Sequence, residues 1–310
     1  MNDSPHIPVL LNEVIEGLAI KNNGTYLDLT LGRAGHSSAI LSQLSNSGLL
    51  IGVDQDDEAI EFSRNRLSKI SNNFLLVRDN FVNVDSILQN LKISKVDGAL
   101  MDLGVSSPQF DDQSRGFSYR FDSELDMRMD KRNPLTAKKI VNEYSLEELV
   151  RIFNEYGEEK YSYSIAKNIV KERELHEIKT TFQLVDIIKR SKPMKELNKV
   201  GHPAKQIFQA LRIEVNDEIN VLKRTLEKVL SHLNSGGRLA VITFHSGEDK
   251  IVKHLFKELT VVEGNRYDLP IETEKKEYRL ITRKGIKPSP KEISENHRSA
   301  SSVLRIIEKI

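Results

Sequence analysis

Four apolar runs within the first 102 residues each end on an aspartate: Tyr26-Leu27-Asp28, Ile51-Gly52-Val53-Asp54, Leu76-Val77-Arg78-Asp79 and Ala99-Leu100-Met101-Asp102. The four acids stand 26, 25 and 23 residues apart. Each interval fits one strand, one helix and two short loops. The N-terminal third therefore reads as β-α-β-α-β-α-β, with a carboxylate at the C-terminal edge of every strand. Ligands of open α/β sheets bind at that edge, so the row of acids points to a nucleotide-like ligand.

A chain of 310 residues can bury a full core, as one large domain or two smaller ones. No apolar run approaches the length of a membrane span. The stretch Met1-Asn2-Asp3-Ser4-Pro5 lacks the basic and apolar regions of a signal peptide. The sequence has no cysteine, which excludes disulfides, thiolate nucleophiles and cysteine metal sites and fits a cytoplasmic protein. The net charge of +1 hides an asymmetry. Residues 160–205 hold 11 Lys/Arg against 5 Asp/Glu, and residues 278–310 hold 8 against 3. These regions are either contacts for a polyanion or solvated basic faces.

The spacing predicts a short helix over residues 6–20, strand 1 at Thr25–Leu29 and a helix from Gly35 to about Leu44. Strand 2 at Leu49–Val53 leads to a helix from Asp57 to about Ile70, and strand 3 at Phe74–Val77 to one near Val84–Leu91. Strand 4 is Val96–Met101, and Asp57 and Asn83 are the expected N-caps. Residues 103–133 read as a long ordered loop, a length usually tied to function. From Thr136 to about Lys192 the periodicity is helical throughout, and Ser145-Leu146-Glu147-Glu148 is a capping box. A long helix over about Ala204–Leu233, a turn at Asn234-Ser235-Gly236-Gly237 and strand 5 at Arg238–Phe244 follow. A helix from Glu248 to about Leu259 and strands near Tyr278–Thr282 and Val303–Glu308 complete the pattern, with a loop around Pro288 and Pro290. The expected organisation is an α/β sheet domain, residues 1–133 and 206–310, interrupted by an all-helical insert at 134–205.

The segment Asp28-Leu29-Thr30-Leu31-Gly32-Arg33-Ala34-Gly35-His36 sits on the first strand–helix turn. Small residues there let the backbone approach a ligand, and the following helix offers free N–H groups. Asp54, 22 residues after Gly32, is placed to accept both hydroxyls of a ribose, or else to cap the next helix. Phe81 either packs on an adenine face or belongs to the core. This set serves NAD or S-adenosylmethionine equally. No P-loop is present, which argues against an NTPase.

Strand 4 decides between them. Ser107-Pro108-Gln109-Phe110 is similar to the [DNS]-P-P-[YF] tetrapeptide of enzymes that methylate exocyclic amines of bases. Such an amine is a weak nucleophile because its lone pair is delocalised into the ring. A hydroxyl or carboxylate oxygen and a backbone carbonyl can hold its two N–H groups, and an aromatic can stack on the extruded base. In-line methyl transfer then needs alignment and electrostatics, and no metal. The bland alternative is a Ser-Pro turn beside a buried Phe.

Taken together, the motifs resemble the bacterial 16S rRNA (cytosine-N4)-methyltransferases of the MraW/RsmH type. They are His6-Ile-Pro-Val-Leu, Gly32-Arg-Ala-Gly-His36-Ser, Asp102-Leu-Gly-Val-Ser-Ser-Pro-Gln109 and Arg115-Gly-Phe-Ser118. Leu125-Asp-Met-Arg128-Met-Asp130, His202-Pro-Ala, Phe208-Gln-Ala-Leu-Arg212-Ile-Glu-Val-Asn216, Phe244-His-Ser246 and Arg298-Ser-Ala follow in family order. Ala34 stands where some members carry Gly. The resemblance implies a class I (Rossmann-like) methyltransferase sheet whose helical insert holds RNA. It implies S-adenosylmethionine contacts at Gly32, Ala34, Gly35, His36, Asp54, Phe81, Asp102 and Gln109. It also implies a target, the exocyclic amine of a cytidine in the decoding centre of 16S rRNA within the small ribosomal subunit.

Asp102, Ser107, Pro108, Phe110 and His245 are then the candidate catalytic residues, with Asp102 serving either the cofactor's amino group or the acceptor amine. His36 either touches the cofactor carboxylate or packs at the helix start. Arg115, Arg120 and Arg128 contact phosphates or tie their loop to Asp122, Asp126 and Asp130. His297 and Arg298, with Lys284, Lys287 and Lys291, are a candidate RNA contact or an exposed basic hairpin. An NAD-dependent oxidoreductase, a non-catalytic RNA-binding protein, and the same chemistry on another RNA or on DNA remain alternatives. Nothing in the sequence fixes the oligomeric state, a homodimer included.

Overall fold

The apolar runs form parallel strands in a computed structural model that describes residues 8–104, 112–260 and 276–310. The described chain divides into two compact units, residues 1–104 with 220–310 and residues 105–219.

In the first unit α1 (Leu11–Leu18) leads to β1 (Thr25–Asp28), α2 (Gly35–Leu41), β2 (Leu49–Asp54) and α3 (Asp57–Leu67). Then come β3 (Phe74–Arg78), α4 (Val84–Asn90) and β4 (Val96–Asp102). The sheet has seven strands in the order β3-β2-β1-β4-β5-β7-β6, where β5 is Leu233–Thr243, β6 Tyr278–Leu280 and β7 Val303–Lys309. Strands β1 to β5 pair in parallel, and β7 runs antiparallel to both its neighbours. Alternate residues of each strand feed two cores. Leu27, Ile51, Val53, Ala99, Met101 and Val241 pack on one face with Ile87, Leu88, Leu226 and Phe256. Tyr26, Leu50, Leu100, Ala240 and Ile306 pack on the other with Val14, Leu18, Ile40 and Leu67. Both faces are covered, which is why the strands read as unbroken apolar runs. Gly98 is needed for this packing, because a Cβ there would lie 2.7 Å from the Tyr26 ring.

Helices α11 (Glu218–Ser231), α12 (Ser246–Thr260) and α13 (Pro290–Glu295) complete the elements around the later strands. The expected turn at 234–237 lies inside β5, where the register against β4 shifts between Val96 and Gly98. The expected loop around Pro288 and Pro290 contains α13, with Ser289 as N-cap and Pro290 in its first turn. The cap of α3 is Asp56, whose side chain accepts from the Glu58 N–H, rather than Asp57. Asn83 precedes α4 without a side-chain cap bond and donates instead to Asp79.

The second unit holds α5 (Ala137–Glu143), α6 (Leu146–Glu155), α7 (Ser162–Arg173), α8 (Thr181–Arg190), α9 (Met194–Leu197) and α10 (Lys205–Val215). Ser145 and Thr180 each form a reciprocal capping box. The helical periodicity over 136–192 is thus four helices joined by turns. The helix expected over 204–233 is two, broken where Asn216 closes α10 and Asp217 takes φ 49°. The unit extends beyond the expected 134–205 on both sides. Phe117, Leu125 and Met127 before it, and Ile207, Phe208, Leu211 and Val215 after it, bury in the same cluster as Ile152, Phe153 and Ile188.

Candidate functional site

Parallel pairing puts the C-terminal ends of β1, β2, β3 and β4 on one edge, and β1 and β4 are neighbours there because the strand order reverses between them. That reversal opens the crevice in which sheets of this kind bind ligands. The four acids expected at this edge are there, and each is held differently.

Asp28 is buried; it accepts from the Thr30 N–H at 3.1 Å and the Ser37 hydroxyl at 2.7 Å. Burial pushes its carboxyl above the usual range against these two bonds. Asp54 accepts from the Gly32 N–H at 2.8 Å and the Asp56 N–H at 2.9 Å. It therefore fixes the glycine turn to the end of β2, and each oxygen keeps a lone pair for a further donor. Burial raises its pKa to about 6. Asp79, one residue past β3, accepts from the Asn80 N–H and the Asn83 amide.

Asp102 ends β4. Its backbone N–H donates to the Thr30 hydroxyl at 2.6 Å, tying β4 to the glycine turn. Its Oδ2 lies 3.6 Å from His36 Nδ1. Its Oδ1 is buried and takes no hydrogen bond among the described residues. Burial, then the charges of Asp28 and Glu248, push the Asp102 carboxyl up to about 8. A buried carboxylate oxygen left without a donor is costly, and a cationic or N–H-bearing ligand group beside it would remove that cost.

The turn from β1 to α2 uses two left-handed residues, Gly32 at φ 49° and Ala34 at φ 55°. A Cβ on Gly35 would collide with Pro8. His36 is 5% exposed, and its Nε2 donates to the Val9 carbonyl at 2.9 Å. With that nitrogen protonated, a neutral ring turns the Nδ1 lone pair toward Asp102, and a proton on either partner relieves the repulsion. His36 thus lies beside Asp102 and holds the start of α2 to the chain before α1. Phe81 is half-buried, in a 3₁₀ turn over Phe81–Asn83, and packs against the core cluster of the sheet.

Past β5, His245 Nδ1 accepts from the Glu248 N–H at 3.4 Å, and its Nε2 lies 3.2 Å from Glu248 Oε1 without a hydrogen bond among the described residues. Glu248 is buried and accepts from the Phe244 N–H at 2.8 Å. Asp249 forms a two-point ion pair with Arg305. Ser107, Pro108, Gln109 and Phe110 lie outside the described residues, as does His6. The sequence reading did not single out Thr30 and Glu248. Thr30 lay inside the quoted glycine segment, whereas nothing local marked Glu248 as the one buried acid of its helix.

In the second unit, two arginines of the long loop, Arg115 and Arg128, are structural. Arg115 is buried and donates to the Arg128 and Met129 carbonyls. Arg128 forms a two-point pair with Asp126 and also donates to the Lys131 and Asn133 carbonyls. Asn216 bridges the Met127 carbonyl and the Met129 N–H, and Arg212 pairs with Glu218.

This strand order, with an antiparallel β7 and acids around a glycine turn, defines a Rossmann-like methyltransferase domain. The sequence profile of the MraW methylase family matches residues 3–310. Three relatives carry the name ribosomal RNA small subunit methyltransferase H. That of Mesoplasma florum is 54% identical over 98% of this chain and 99% of its own length. Those of Halothermothrix orenii and Oenococcus oeni are 49% and 48% identical over 98% and 99% of this chain, and of 98% and 99% of their own lengths. The chain belongs to the MraW methylase family.

Proposed function

We propose that this protein transfers a methyl group from S-adenosylmethionine to the exocyclic N4 amine of a cytidine in the decoding centre of 16S rRNA. The observation that carries the substrate class is full-length likeness to relatives named as methyltransferases of small-subunit ribosomal RNA. The finer choice of a cytidine amine rests on the Ser107-Pro108-Gln109-Phe110 segment and the family resemblance.

The cofactor supplies an electrophilic methyl on a positively charged sulfur. The residues present suit it. Asp54 accepts the ribose hydroxyls while holding Gly32 in place. Asp102 offers its unpartnered Oδ1 to an ammonium or amine N–H and ionises as that positive group arrives. The lone pair of the cytidine N4 forms the new C–N bond as the S–C bond breaks. The methylated amine, cationic at that moment, loses its proton to water or to a nearby acceptor. Ser107, Pro108 and Phe110 hold the flipped base, and His245 lines the end of β5. The helical unit grips the structured RNA.

The test is methyl transfer from isotope-labelled S-adenosylmethionine to small subunits lacking the modification, with nucleoside mass spectrometry of the digest. Label in N4-methylcytidine, lost in Asp102→Ala, supports the reading. Cofactor binding without transfer to the subunit overturns the substrate, and label on another RNA or on DNA would assign it there.

A further inference from the structure

A ring stack with cations near it lies on the helical unit, and neither ring belongs to a residue given a catalytic role above. Tyr119 and His202 stack with centroids 4.1 Å apart and planes 6° apart. Tyr119 stands edge-on to the buried Phe208 at 5.6 Å, so the stack is anchored in the core of the unit. His202 Nδ1 accepts from the Ala204 N–H at 3.2 Å, which leaves the ring proton on Nε2. Lys192 fixes the loop below. Its Nζ donates to the Pro203 carbonyl at 2.7 Å and pairs with the buried Glu159 at 2.6 Å.

The charges that act on the His202 ring are those of Lys189, Arg120 and Lys192. Arg120 follows Tyr119 in sequence and Lys189 stands in the last turn of α8; both are exposed, and neither has an ion-pair partner among the described residues. Nearby cations of the same unit are paired, Arg190 with Glu172 and Lys199 with Glu196. Burial first, then the charges of Lys189, Arg120 and Lys192, hold the His202 pKa below the ordinary range, so at neutral pH the ring is an uncharged N–H donor. Two unneutralised cations beside a rigid aromatic plate and a ring N–H suit a nucleic-acid strand, which brings phosphate oxygens and base faces together.

We infer that Arg120, Lys189 and the Tyr119–His202 stack form a docking site for the phosphate backbone of the substrate RNA. The inference rests on the RNA reading above.

The experiment compares the wild-type chain with Arg120→Ala/Lys189→Ala and, separately, Lys189→Glu. It measures binding to unmodified small subunits at several salt concentrations, methyl-transfer kinetics, and S-adenosylmethionine binding by calorimetry. Losing two phosphate contacts should flatten the slope of log affinity against log salt by roughly 1.4 to 1.8. KM for the subunit should rise with kcat and cofactor binding unchanged, and Lys189→Glu should raise KM further than loss of that lysine's charge alone. A wild type that methylates the subunit beside variants with the same slope and KM overturns the docking site alone. A wild type that neither binds nor methylates the subunit overturns the RNA reading and the site with it.

Discussion

Asp102 and Asp54 end similar apolar runs, yet their surroundings separate them. Asp54 has both oxygens bonded to backbone N–H groups, while Asp102 has one oxygen with no hydrogen bond among the described residues. A carboxyl whose pKa is about 8 when folded and 3.8 as a free side chain holds its proton more tightly in the folded state. Its contribution to stability is therefore fully present below pH 3.8 and lost as pH rises toward about 8. Asp102→Asn should accordingly gain stability over wild type as pH rises, by on the order of 4 kcal/mol between pH 5 and pH 8.5. Urea denaturation of both proteins at pH 5 and pH 8.5 checks this, and an equal difference at the two pH values would count against it. The same variant should bind S-adenosylmethionine more weakly. Asp54→Ala should bind it at least tenfold more weakly, because the Gly32 turn loses its acceptor along with the ribose contact.

At the scale of elements, caps and bridges set where helices stop. Ser145 both accepts from the Glu148 N–H and has its own N–H bonded by the Glu148 carboxylate. Ser145→Ala should cost about 1 kcal/mol in chemical denaturation. Asn216 carries more, since its amide holds the Met127 carbonyl and the Met129 N–H at the end of α10. Asn216→Ala should cost roughly 1–3 kcal/mol by leaving those groups without partners, with S-adenosylmethionine affinity unchanged. A smaller loss than that of Ser145→Ala would show that water replaces the amide. Helix content was legible from periodicity, whereas the break at Asn216 was not. Its cause is a hydrogen bond to residues 87 and 89 positions earlier in the chain.

Across the whole molecule, charge is segregated by region. Residues 160–205 carry a net +6 and residues 278–310 a net +5, which leaves −10 for the rest. Binding of the proposed RNA substrate should thus weaken steeply with salt, while binding of S-adenosylmethionine at the proposed site among buried acids should change little. Parallel titrations at 50 and 200 mM salt test this, and equal salt dependence of the two would refute it.

The sequence by itself determined the strands, their order of appearance, the glycine turn and the row of acids, because strand period and loop length are local quantities. It also carried the family, through motifs that keep their order along the chain. Only the tertiary structure decided which acid lacks a partner, that Asp56 rather than Asp57 caps α3, and that Arg115 and Arg128 support a loop. It likewise showed that Arg120 and Lys189, near an aromatic stack, have no ion-pair partner among the described residues. Desolvation and ion pairing depend on neighbours brought together from distant parts of the chain, and residue spacing along the chain does not record who those neighbours are.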